Sequence, residues 1–441
     1  MGRVHKLLLI APTCDAQDVG EAFVGYQWVR QLSARHDVTV LTYHKKGATP
    51  LSVQLPAVRV IEWAEPPGVG RAERLNSMLK PAYVVFYARA RRWIRAALAR
   101  GERFDLAHQP VPVALRYPSP VAGLGIPFVL GPVGGSLSSP PAFTGEEGTN
   151  PWYVGLRGLD GLRLRHDPLL RRTYRQAACV LGIAPYVGDH LAGARLRRFE
   201  VMSDTGLVSL PAPVDRAGRQ GQVRLLYVGR LVRTKGARDA IRAVGLLPGL
   251  PVCLDIVGDG YDRGACEALA RQVGLGQRVR FHGWLPRERV DDFYRAADVF
   301  VFPSYREPGG TVTFEAMGHG LPLVVSDRGG PGTAVDDTCG IRVHPDSPGQ
   351  YAQDLASALS RLVRDPAVRL ALGEGARRRA REIGLWEAKA RQVEPIYAAV
   401  LAQEAGSGSH GAGTGRPVLS QTLPDHSSPG ARTSKSTAGP Q

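Results

Sequence analysis

Lysine is nearly absent from this chain. Its 441 residues carry 56 basic groups, 49 of them arginine and only 7 lysine, against 40 acidic groups. The net charge of +16 would ordinarily suggest a nucleic-acid or membrane partner. An Arg- and Ala-rich genome biases unrelated proteins the same way, so only the placement of the arginines can support a patch. Cysteine is scarce as well. Cys14, Cys179, Cys253, Cys266 and Cys339 form no C-x-x-C pair and no metal-like spacing with histidine. That argues for a reducing compartment and against a disulfide framework or a structural zinc. No apolar run approaches the ~18–20 residues that span a bilayer. The stretch Leu7–Ala11 is too short for a signal sequence, and no small-residue cleavage site follows it. Lys6 stands where a myristoylation pattern requires Ser or Thr. These absences point to a cytoplasmic chain. Nothing resembles a helix-turn-helix, an RRM or a zinc module, so nucleic acid is not the expected partner.

What is present is ample core material, with 44% hydrophobic and 22% charged residues. The length exceeds the roughly 100–200 residues of one domain. Apolar strands at Leu7–Ala11, Val38–Thr42, Val58–Trp63, Asp105–His108, Pro127–Gly131 and Cys179–Ile183 alternate with helical spacing such as Phe23–Leu32. The Pro/Gly-bearing stretch Pro211–Gly221 interrupts the pattern. Alternation resumes at Val223–Val228, Val252–Val257, Val279–Phe281, Val299–Phe302 and Pro322–Val325, and a helical stretch Tyr351–Glu404 follows. The expected fold class is α/β, two consecutive Rossmann-like domains with parallel sheets, at 1–210 and 211–405. Residues 406–441 are Gly, Ser, Thr and Pro with few large apolar side chains and read as a disordered tail.

The segment Arg306–Met317 carries the most chemistry. Glu307 and Glu315, eight residues apart, bracket Gly309, Gly310 and Thr311 at the start of a helix that follows a strand. Free N–H groups at such a start bind phosphate or sugar hydroxyls, and carboxylates accept from polyols. The same pattern also describes a Gly-rich loop with a surface Glu. A second cluster, Gly229–Gly236, leaves the first strand of the second domain, where α/β folds bind ligands. There Arg230 offers a planar fork and Lys235 a mobile point charge, a pair suited to a diphosphate. Val257-Gly258-Asp259-Gly260 mimics a dinucleotide fingerprint, but Arg263 occupies the third glycine position, which argues against NAD.

Taken together the segments resemble the retaining family 4 (group 1) glycosyltransferases of GT-B architecture. The resemblance runs through Val223–Pro345 and includes Val228-Gly229-Arg230-Leu231, Lys235-Gly236, Ile256–Gly260, Val279–Trp284, Ala297–Ser304, Glu307 and Glu315-Ala316-Met317 followed by Gly320–Ser326. It implies a nucleotide diphosphate sugar as donor substrate, a hydroxyl acceptor, no cofactor and no metal. It implies that Arg230 and Lys235 hold the diphosphate with Gly229. Glu307 with the backbone of Gly309, Gly310 and Thr311 would hold the donor sugar. Glu315 would accept from the ribose, and the backbone near Trp284 and Leu285 would cradle the base. In the first domain the match is thinner. Only Gly20 of the usual glycine pair transfers, and Pro110 replaces the second of two histidines, leaving His108 as the acceptor-side candidate or as a strand-end residue that packs. Gly131–Ser136 is a further candidate loop. A sugar-nucleotide epimerase and a non-catalytic nucleotide-sugar-binding member share the plan and remain alternatives.

The charge splits as +10 on residues 1–210, +4 on 211–405 and +2 on 406–441. The excess concentrates at 71–100, where eight basic groups face Glu73 alone and aromatics are interleaved. Such a helix suits peripheral contact with an anionic membrane at the inner face of the cell membrane. It equally suits a helix packed on a sheet with an arginine-rich solvent face.

Overall fold

Continuous apolar strands need cover on both faces, and helices supply it on both sides of two all-parallel sheets. The structure is a computed structural model and describes residues 3–45, 47–66, 82–146, 159–219 and 221–407. The first sheet comprises β1 (Lys6–Ile10), β2 (Asp37–His44), β3 (Arg59–Ala64), β4 (Leu106–Gln109), β5 (Phe128–Val133), β6 (Cys179–Gly182) and β7 (Phe199–Val201). Their order is β3-β2-β1-β4-β5-β6-β7. The second sheet comprises β8 (Val223–Val228), β9 (Val252–Val257), β10 (Val279–Gly283), β11 (Val299–Phe302), β12 (Leu323–Ser326) and β13 (Gly340–Val343), ordered β10-β9-β8-β11-β12-β13. Each sheet reverses its order beside its first strand, β1 or β8, which is where such folds open a ligand crevice. The short β7 and β13 escape a reading by apolar runs, because their pairing with β6 and β12 defines them.

The chain crosses between the sheets twice, near 202–216 and near 380–386. The two crossings pair with each other. Leu207 N–H donates to Gly384 O at 2.7 Å, and Trp386 N–H donates to Leu207 O at 3.0 Å. The last helix, Trp386–Ser407, therefore leaves the second domain and packs on the first. Trp386, Val393, Ile396, Tyr397 and Val400 share a buried cluster with Val24, Trp28, Val29 and Leu32 of the helix Glu21–Ser33.

His108 belongs to this junction. It is 0% exposed, its Nε2 lies 2.6 Å from Gly131 O, and its Nδ1 lies 2.7 Å from the Tyr397 hydroxyl. A carbonyl only accepts, so Nε2 carries the proton and Nδ1 accepts from Tyr397. Burial pushes its pKa down to about 4, partly offset by the Gly131 carbonyl. An enclosed, neutral ring with both nitrogens engaged has nothing to offer an acceptor. This corrects the catalytic assignment of His108: it fastens the last helix.

The structure describes part of the basic segment 71–100. Residues 71–81 lie outside the described residues, as do 408–441, where the tail was expected. In the helix Ala82–Ala99, Tyr83, Phe86, Ala90, Ile94 and Ala97 are buried against the first sheet. Of its four aromatic side chains Tyr83 and Phe86 are buried, Tyr87 and Trp93 pack partly buried on the same cluster, and Arg91 donates to Pro120 O and Ala122 O. No helix among the described residues is long and apolar enough to cross a membrane.

Replacing Tyr397 with Phe leaves the buried Nδ1 of His108 unpaired. Tyr397→Phe should therefore cost about 1–2 kcal/mol of stability, read as a lower midpoint in urea or thermal unfolding.

Candidate active site

The carboxyl ends of the second sheet's strands are knitted into one surface by backbone contacts. Gly229 N–H donates to Val257 O and Leu231 N–H to Asp259 O, joining the loops after β8 and β9. Gly258 N–H donates to Gly283 O, joining β9 to β10, and Gly330 N–H donates to Glu307 O, joining β11 to the start of the helix Gly329–Ala334. The loop after β8 closes with a 3-10 turn, Arg233–Lys235, ended by Gly236 at φ 79°. A Cβ at 236 would sit 2.1 Å from Pro303 O, so only glycine lets this turn lie against the loop after β11.

That contact brings two sequence candidates together. Lys235 Nζ and Glu307 Oε2 form an ion pair, with side chains only 12% and 15% exposed. Arg230 is exposed at the rim of the same loop, and no described residue pairs with its guanidinium. Gly310 precedes the helix Thr311–Gly318, whose first turn has no side-chain cap. Its N–H groups at Thr311 and beyond are those a ligand could use. Glu315 points elsewhere: it accepts from the Tyr294 hydroxyl at 3.0 Å and lies 3.7 Å from Arg287. Trp284 is 76% exposed beyond β10, while Leu285 packs against the core. Gly20, at φ 65°, precedes the helix Glu21–Ser33 on the first domain, and the space where a side chain would stand is open.

The missing side chain of Gly309 has a packing consequence besides any role of its backbone. A Cβ there would lie 2.9 Å from Asp204 Oδ1, so glycine at this position makes room for a side chain of the first crossing. Asp204 Oδ1 is buried without a hydrogen-bond partner. Burial pushes the Asp204 pKa up to about 6; Lys389 opposes the shift, while Glu307 and Glu21 add to it. Lys389, 1% exposed, comes from the last helix, donates to Ile383 O at 3.1 Å and lies 5.1 Å over the Phe314 ring. Burial lowers its pKa to about 8, with Asp204 opposing. Tyr186, after β6, is raised by burial and also feels Asp204 and Glu307. Glu21 of the first domain, Asp204 of the first crossing and Glu307 of the second domain thus act on one another's charge, with Lys389 of the last helix opposing at Asp204.

Sequence reasoning missed Asp204, Lys389 and Tyr186, which carry no motif. One signal was available. Residues 211–405 hold only two lysines among 27 basic groups, Lys235 and Lys389, and both are buried or nearly so beside this cluster. The loop Gly131–Ser136 divides: Gly131–Val133 complete β5, and the chain then leaves the first sheet. Among the described residues no group of three or more His, Cys, Asp or Glu is placed to hold a metal.

Two facing parallel sheets with a joint cleft and a returning C-terminal helix define the GT-B class. Solved structures share this fold over most of the chain. Sucrose-phosphate synthase from Thermosynechococcus elongatus has a TM-score of 0.58 at 23% identity, covering 90% of this chain and 100% of that one. HepE from Anabaena, in complex with UDP, has a TM-score of 0.59 at 17% identity, with the same coverage. The model of group 1 glycosyl transferases matches residues 215–379, and that of the glycosyl transferase 4-like domain matches 21–203. The chain belongs to the group 1, family 4 glycosyltransferases. Among curated relatives, D-inositol 3-phosphate glycosyltransferase of Corynebacterium aurimucosum is 34% identical over 204 residues, 43% of this chain and 47% of that protein. The lipopolysaccharide core biosynthesis glycosyltransferase LpsE of Rhizobium meliloti is 33% identical over 220 residues, 48% of this chain and 62% of its own. The chain spans about half the length of the first of these relatives.

Asp204 gives the site a pH signature. Its folded pKa of about 6 exceeds the ordinary 3.8, so the folded state retains a proton that the unfolded chain releases. Stability from this group is present below about pH 4 and lost as pH rises through 6. The stability difference between wild type and Asp204→Asn should fall by up to about 3 kcal/mol over that window, measured by urea unfolding at stepped pH.

Proposed function

We propose that this chain is a retaining, metal-independent glycosyltransferase that moves a sugar from a nucleoside diphosphate sugar to a polyol hydroxyl. The observation that carries the reading is the Lys235–Glu307 pair, flanked by Arg230 and by the uncapped helix start at Thr311. Lys235 and Arg230 supply two cations for a diphosphate, so the developing charge on the leaving group can be offset by side chains and a helix terminus. Engaging Lys235 with phosphate releases Glu307 to accept from a donor-sugar hydroxyl. For the ribose the reading takes Glu315, which would have to exchange the Tyr294 hydroxyl for a ribose hydroxyl, and for the base it takes the backbone near Trp284 and Leu285.

In this reading the bond between the sugar's anomeric carbon and the diphosphate oxygen breaks while the acceptor oxygen bonds to that carbon on the same face. The acceptor proton passes to the departing phosphate oxygen. Names of relatives support the acceptor class, since an inositol phosphate and a lipopolysaccharide core are both polyols. The Gly20 turn on the first domain, where nothing crowds the position of a side chain, is the turn this reading sets against the donor phosphates and the acceptor.

Incubation with a panel of nucleotide sugars, with and without polyol acceptors, tests the reading. Transfer is expected only with acceptor, with retained anomeric configuration and unchanged rate in excess chelator. Acceptor-independent release of an isomerised sugar would assign an epimerase, and donor binding without turnover a binding protein. Lys235→Ala and Glu307→Gln should each lower kcat/KM at least about 100-fold with near wild-type unfolding midpoints. Arg230→Ala should raise the donor KM about tenfold. Wild-type turnover in both the Lys235 and Glu307 variants would refute the site.

A further inference from the structure

A segment of the first domain is built into the second. After β5 the chain runs outward through Gly134 and Gly135, and residues 137–146 lie along the loops of the second sheet. Leu137 packs on Gly329, where a Cβ would meet its Cδ2 at 2.9 Å. Ser138 O accepts from Arg328 at 2.7 Å, and Ser139 Oγ accepts from Arg306 at 3.2 Å. Phe143, in the 3-10 turn Pro141–Glu146, is 0% exposed inside the core of the second domain. Its ring centroid is 4.5 Å from that of Tyr305 and 5.9 Å from that of Tyr351.

Glu146 ends the turn and meets Arg233. The Arg233 guanidinium is 1% exposed and lies 5.6 Å over the Phe143 ring and 5.4 Å over that of Tyr305. Asp239, itself 0% exposed, takes Nη1 at 2.6 Å and Nη2 at 3.0 Å. Of the three N–H groups that remain, Nε–H donates to Glu146 Oε2 at 2.8 Å, and Nη2 lies 2.7 Å from the same oxygen. Glu146 also takes both terminal nitrogens of Arg242, at 3.1 and 3.2 Å. Arg233 is the first residue of the turn that ends in Lys235. Its side chain is locked on one side by its own domain and on the other by a carboxylate of the first domain. A buried guanidinium needs all its donors satisfied, so the orientation of this turn depends on Glu146.

We propose that Glu146, seated by the burial of Phe143, is a positioning residue of the donor site: it orients the Arg233–Lys235 turn from the opposite domain and so couples the placement of the first domain to diphosphate binding. The proposal rests on the reading of Lys235 as a diphosphate ligand. Glu146 touches no substrate and acts only through Arg233. The clasp is a further link between the two domains besides the paired crossings.

Steady-state kinetics on the full chain test this, with donor and acceptor varied separately. Glu146→Ala should raise the donor KM about tenfold, leave kcat within about threefold and leave the acceptor KM unchanged. Glu146→Gln, which keeps an oxygen for the Arg233 Nε–H, should recover much of the loss. Phe143→Leu, a milder change than truncation, should move the donor KM in the same direction. In a Lys235→Ala background the Glu146→Ala effect should vanish, because the lever has no end to move. A lowered unfolding midpoint with a wild-type donor KM would make the clasp merely structural and overturn the proposal. So would an undiminished Glu146 effect in the Lys235→Ala background. Should Lys235→Ala itself turn over like wild type, the donor-site reading fails, an outcome distinct from a silent Glu146→Ala.

Discussion

A site shared between two sheets exists only if the sheets are held in register with each other, and the paired crossings impose that condition. Leu207 is bonded to both Gly384 and Trp386, so the outgoing and returning chains form one short ribbon. From it the last helix reaches back and docks through Trp386 on Trp28, whose rings meet edge to face, and through Tyr397 on His108. Covering that helix needs a deep apolar stripe on the first domain, which explains the burial of the helix Glu21–Ser33 on two sides. Everything beside the cleft inherits its position from this junction: Asp204 and Gly206 on one strand of the ribbon, Ile383 and Lys389 just beyond the other.

Charge is managed in this region by exclusion rather than by exposure. Lys235, Glu307, Asp204 and Lys389 are all at least partly withdrawn from water, where each charge depends on its neighbours. Arginine dominates the surface, forming i,i+4 pairs and carbonyl contacts that solvent screens. Within residues 211–405 lysine occurs only where a compact charge fits a narrow place, over the Phe314 ring or against Glu307. The clasp at 137–146 follows the same logic with arginine: a buried guanidinium is tolerable only because carboxylates from two domains surround it.

Much of the fold was legible because parallel strands buried on both faces read as uninterrupted apolar runs. Strands such as Leu7–Ile10 and Val223–Val228 announce themselves and their βα spacing orders them. Strands defined by partners rather than by composition, β7 and β13, did not. The loops that carry Arg230, Lys235, Glu307 and Glu315 were legible because glycines and charges sit at fixed offsets from those strands. His108 misled for the opposite reason: a histidine at a strand end looks alike whether it faces a cleft or a helix that arrives from nearly 300 residues away. At Gly309 a missing side chain says that something is close, without saying that it is Asp204.

Alone, the amino-acid sequence determined two parallel α/β units, the loops that bear their polar groups, and the likeness to family 4 glycosyltransferases, because all three depend on local periodicity and short spacings. Only the tertiary structure decided that Lys235 meets Glu307, that Asp204 fills the space at Gly309, that Glu146 reaches Arg233 across the domains, and that His108, Tyr83 and Phe86 are core. Those facts arise from contacts between segments tens to hundreds of residues apart. Burial and hydrogen-bond partners at such contacts are set by packing, which no local pattern encodes.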